Sequence, residues 1–139
     1  MPRRRPSTLR AKVDVSFLPR SRYSKIGRIS GAAQSQVILL ERTRFRPGSV
    51  ATSLARWTDL ARTPRGRRLE LYSAGCGEPG CCPPPGDDRD LLEYAVRAMP
   101  RKSARELRAI LDALDEAIMS HPDLAHSHVF RGRWWLSDI

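Results

Sequence analysis

Long apolar runs are missing from this 139-residue chain. That excludes a membrane-spanning helix, which needs about 20 consecutive apolar residues. The first residues, Met1-Pro-Arg-Arg-Arg-Pro6, are charged like the start of a signal peptide, yet no apolar stretch follows them. Secretion is not expected, and the cytoplasm is the predicted compartment. Cysteine is scarce too: there are three, an odd number, which does not suit a disulfide-stapled secreted module. Aromatic residues make up 6 %, so a core must be built mainly from aliphatic side chains. Catalytic signatures are also absent. The chain has no phosphate-cradling glycine loop, no dinucleotide fingerprint, no His-Glu-x-x-His and no Gly-x-Ser-x-Gly. No enzymatic activity is predicted.

Acidic residues are missing from one half only. Residues 1–68 hold 17 Lys+Arg against 3 Asp+Glu, a net of +14, whereas residues 69–139 hold 8 against 12, a net of −4. A solvated surface normally mixes its signs, because crowded like charges repel and weaken the compact state. A half-chain this basic points to a polyanionic partner, and nucleic acid is the commonest one. Of the 25 basic residues, 22 are Arg and only Lys12, Lys25 and Lys102 are Lys. Arginine's planar fork bonds phosphates and guanine edges in pairs and stacks on bases. A GC-rich genome also trades Lys for Arg, but that bias acts on both halves and leaves the asymmetry unexplained.

Residues 1–10, rich in Arg and Pro, read as a mobile basic arm. The remainder, 11–139, reads as a single small α+β domain. Val13, Val15 and Phe17 alternate with polar residues and predict a strand over 12–17. A second strand is predicted over 36–45, with Arg42, Arg44 and Arg46 on one side of its end, and a third over 68–73. Between them, Val50, Leu54, Trp57 and Ala61 make one stripe of a helix over 50–62 that Ser49 can cap. A Gly/Cys/Pro-rich loop fills 74–86. Asp87 or Asp88 then caps a helix over 89–99, with Leu92, Ala95, Val96 and Met99 on one face. Ser103 and Glu106 form a capping box for a helix over 103–119, striped by Leu107, Ile110, Leu111, Leu114 and Ile118. The predicted fold is therefore a small sheet of about three short strands plus one helix, followed by an antiparallel helical hairpin.

Two local constellations carry possible chemistry. Cys76, Cys81 and Cys82 lie among Gly75, Gly77 and Gly80, which let neighbouring thiolates turn toward one centre. With His121 as fourth ligand (His126 and His128 being alternatives) they make a candidate Cys3His zinc site. The same residues also read as an ordinary tight loop of reduced thiols. At the C-terminus, Trp134 and Trp135 sit among Arg131, Arg133 and Leu136. They suit either stacking on unpaired bases or folding back onto the core.

The function these features predict is a small basic nucleic-acid-binding protein, such as an RNA-binding or ribosome-associated accessory factor. Its predicted contacts are Arg3, Arg4, Arg5, Arg20, Arg22, Lys25, Arg28, Arg42, Arg44, Arg46, Arg65, Arg67 and Arg68. RNA is preferred over duplex DNA because no predicted helix carries the basic cluster as a recognition helix would. The alternative is a protein–protein adaptor acting through the helical hairpin and the Trp-Trp tail.

Overall fold

The computed structural model describes residues 22–63, 85–120 and 133–136. Four helices fill the first two of these segments: α1 (Gly31–Thr43), α2 (Ser49–Arg62), α3 (Pro85–Ala98) and α4 (Arg101–Met119). No strand occurs among the described residues, so the predicted α+β sheet is replaced by an all-helical bundle. The predicted strands over 12–17 and 68–73 lie outside the described residues. So do the arm 1–10 and all of the loop 74–86 but its last two residues.

The strand predicted over 36–45 is most of α1. Ala33, Val37, Leu40 and Glu41 are its buried positions, and their spacing is that of one helical stripe. Val37 and Ile38 are β-branched, but Ala, Gln, Leu, Glu and Arg dominate around them and favour helix. Ser30 caps the helix, its Oγ accepting from the Ala33 N–H at 3.2 Å. The alternation of Arg42, Arg44 and Arg46 belongs to a helix end and the turn after it.

Gly48, not Ser49, precedes α2 as its cap residue, with φ at 79°. Only glycine adopts that conformation cheaply, and a Cβ there would meet the Arg22 carbonyl oxygen at 2.9 Å. With no side chain at the cap, α2's first N–H groups need another acceptor. Glu41 supplies it from α1, accepting from the N–H groups of Gly48 at 2.9 Å and Val50 at 3.2 Å. The same carboxylate accepts from the Ser24 N–H at 3.0 Å and from the Ser24 hydroxyl. Ser24 Oγ in turn accepts from the Ala51 N–H at 2.7 Å. One buried carboxylate thus ties loop, α1 and α2 together.

α3 starts at Pro85, which suits a first helical turn, so Asp87 and Asp88 lie inside that turn and favour the helix dipole there. The face predicted for it, Leu92, Ala95, Val96 and Met99, is buried throughout. α4 starts at Arg101 with Pro100 as its cap, and Ser103 is buried within the helix. The capping box is therefore not formed. Glu106 instead reaches across to α1, where its carboxylate accepts from the Ser30 N–H and hydroxyl.

Arg89 of α3 pairs with Asp115 of α4, and Glu93 pairs with Arg108. Rising numbers on one helix meet falling numbers on the other, so α3 and α4 are antiparallel. Leu92, Leu107, Leu111, Ile118 and Trp57 fill the space between α2, α3 and α4, with Val37 and Val50 adjoining them. Trp135 returns from the C-terminal segment and packs edge-on against Trp57, ring centroids 5.2 Å apart. No helix among the described residues is long and apolar enough to cross a membrane.

Candidate nucleic-acid interface

Six of the predicted phosphate contacts fall on described residues: Arg22, Lys25, Arg28, Arg42, Arg44 and Arg46. All six are exposed, and none forms an ion pair among the described residues. The chain brings them together by two devices. Glu41 fastens Ser24 to the corner between α1 and α2, which carries Arg42, Arg44 and Arg46. Gln34 then holds the loop along α1, its side-chain oxygen accepting from the Ile26 N–H at 2.9 Å while its amide donates to the Ser24 carbonyl. The loop therefore runs beside α1 from its C-terminal corner back to its cap, laying Arg22, Lys25 and Arg28 along the way. Arg28 adopts a positive φ of 68°, a conformation uncommon outside glycine. Arg3, Arg4, Arg5, Arg20, Arg65, Arg67 and Arg68 lie outside the described residues.

The acidic half contributes cations that a count by halves hides. Arg101, Lys102 and Arg105 are exposed on the first turns of α4, beside the Glu106–Ser30 bonds and hence close to Arg28. Lys102 and the hydrogen bonds from Ser30 hold the Glu106 carboxyl below its ordinary range, the Ser30 bonds being the larger influence. Positive charge in a first turn opposes the helix dipole. That reversed pattern is the sequence signal for these cations, and Arg101 and Lys102 precede the helix expected over 103–119.

A second charged cluster is structural in character. Arg89, 1 % exposed, donates to both Asp115 oxygens at 2.7 to 3.2 Å and to Glu93 at 3.0 Å. Its guanidinium also lies 5.2 Å from the centre of the Trp135 ring. Burial alone would lower the Arg89 pKa, but Asp115 and Glu93 more than reverse this and raise it. Arg97 and Arg108 close over Glu93 from the solvent side, each at 2.9 Å. These groups satisfy one another.

Cys76, Cys81, Cys82 and His121, the candidate zinc ligands, lie outside the described residues. Among the described residues no group of His, Cys, Asp and Glu could hold a metal ion. No family model, no curated protein and no solved structure matches this chain.

Proposed function

We propose that this protein binds nucleic acid through the cationic band formed by the loop 22–28 and the α1–α2 corner. One observation carries the reading: six exposed cations, spread over 25 positions from Arg22 to Arg46, lie on the loop along α1 and on the α1–α2 corner, and none of them is ion-paired among the described residues. The corner's one carboxylate, Glu41, is buried and bonded to backbone N–H groups and Ser24. A phosphate backbone is the polyanion that such a band fits. The ground for preferring RNA has weakened, because Arg42 sits in the last turn of a helix. The adaptor alternative has lost support as well. The hairpin's apolar stripe faces the bundle core, and Trp135 is 6 % exposed.

Replacing Arg42, Arg44 and Arg46 together by Ala tests the proposal. The expected result is weaker binding of RNA and DNA oligonucleotides, with the slope of log affinity against log salt reduced by about 2 to 3. The far-UV circular dichroism should not change, since all three side chains are exposed. Unaltered affinity and slope in the triple variant would count against the band.

A further inference from the structure

Adjacent tryptophans at the C-terminal segment have different surroundings. Trp135 is buried, and its indole N–H donates to Asp90 at 3.1 Å. Trp134 is half-buried and packs edge-on against Trp135, centroids 4.8 Å apart. It also lines an open pocket of about 590 Å3 whose other walls include Arg97 and Arg108 and the carboxylates Glu93, Asp112 and Asp115. Arg97 and Arg108 are oriented by their bonds to Glu93, while Asp112 is exposed at the rim.

This pocket stands at the end of a track. Arg101, Arg105 and Arg108 recur at i, i+4 and i+7, one stripe along α4 about 10 Å long. Arg101 and Arg105 are exposed and unpaired among the described residues. They place positive charge at a helix N-terminus, an unfavourable arrangement that a bound anion relieves. On its other side the stripe adjoins Lys102 and, through the Ser30–Glu106 bonds, Arg28.

We propose that the pocket beside Trp134 takes one unpaired base of a single-stranded nucleic acid, whose neighbouring phosphates lie on Arg101 and Arg105. The proposal rests on the nucleic-acid reading above and narrows it to single strands. An indole offers a stacking surface to any base, and arginine planes beside it add to the attraction. Asp112 is placed to accept a hydrogen bond from a base amino group. In a duplex the base faces are stacked inside and cannot enter such a pocket.

The test uses the full chain with a labelled single strand of about 12 nucleotides and a duplex of the same sequence, each titrated at several salt concentrations. The single strand is expected to bind more tightly than the duplex and to quench indole emission. Trp134→Ala should weaken single-strand binding about 5- to 150-fold and abolish the preference over duplex. Trp134→Phe should keep most of the affinity but lose the quench, a readout that does not depend on the alanine variant folding. Arg105→Ala should reduce the salt slope by about one. Equal affinity for both forms, with emission unquenched and a steep salt slope, would overturn the pocket and leave the cationic band standing. Absence of salt-dependent binding to either form would overturn the band and the pocket together.

Discussion

Glu93 receives three guanidinium groups, from Arg89, Arg97 and Arg108, on a carboxylate that is almost wholly buried. Burial alone would raise its pKa. The hydrogen bonds from Arg108, Arg97 and Arg89 outweigh that, with the Arg108 charge assisting, and lower it from an ordinary 4.5 to about 2. A carboxylate whose pKa is lower folded than unfolded stabilises the fold above its unfolded value. That contribution disappears as pH falls from 4.5 toward 2. Allowing for the solvent around Arg97 and Arg108, it amounts to about 2–3 kcal/mol near neutral pH. Asp88 acts in the opposite sense: burial raises its pKa against the hydrogen bond from Ser53 and the charge of Arg56. Chemical denaturation followed across this acid range should show stability falling, and Glu93→Gln should flatten most of that fall. A pH profile identical in the variant would remove Glu93 from the account. Arg89→Met removes the one buried cation shared by Glu93 and Asp115. Asp115 then keeps only the Trp57 indole N–H and Glu93 keeps Arg97 and Arg108, so the loss should be about 3 kcal/mol at neutral pH, measured by the same denaturation.

At the scale of the helices, Glu41 acts as the missing cap of α2. Glu41→Ala leaves the N–H groups of Ser24, Gly48 and Val50 without their acceptor, a loss of about 2–4 kcal/mol. Amide exchange should quicken at those positions, and unchanged protection there would contradict the capping role. Leu111 and Leu114, one turn apart on α4, should behave differently. Leu111 is fully buried, and Leu111→Ala should cost about 2–5 kcal/mol. Leu114 is only partly buried against the core, so Leu114→Ala should cost less, about 1–2 kcal/mol. The same contrast of local and distant partners explains what the sequence reveals. The stripes of α3 and α4 are legible because each repeats one apolar face at helical spacing, whereas α2 buries Val50, Ser53, Trp57 and Leu60 and leaves the expected Leu54 and Ala61 only partly covered. α1 differs from the strand expected over 36–45 because its short apolar centre, Val37 to Leu40, suits a strand as well as a helix. Its true stripe includes the carboxylate of Glu41, which apolar periodicity does not register. The box of Ser103 and Glu106 has the right local pattern, but Ser30, far off in sequence, captures the glutamate.

Over the described residues, cations from both sequence halves lie exposed on the loop 22–28, the α1–α2 corner and the first turns of α4. The loop 22–28 and the α1–α2 corner hold six cations of the first half, Arg56 and Arg62 lie on α2, and α4's N-terminal turns carry Arg101, Lys102 and Arg105 near the Ser30 cap of α1. Among the described residues of the second half, Asp88 is engaged with Ser53, Glu93 and Asp115 with Arg89, and Glu106 at the surface with Ser30. Arg22 and Arg42 could be grouped from composition alone. The approach of Lys102's turn to the Ser30 cap could not be read that way, since only the packing of α1 on α4 brings Glu106 to Ser30. The proposed binding of a phosphate backbone by this surface is tested by equilibrium binding of a nucleic-acid oligonucleotide titrated with salt. With about six phosphate contacts, affinity should fall roughly a thousandfold between about 50 and 200 mM monovalent salt. Affinity that stays constant over that range, or no binding at the lower salt, would contradict the account.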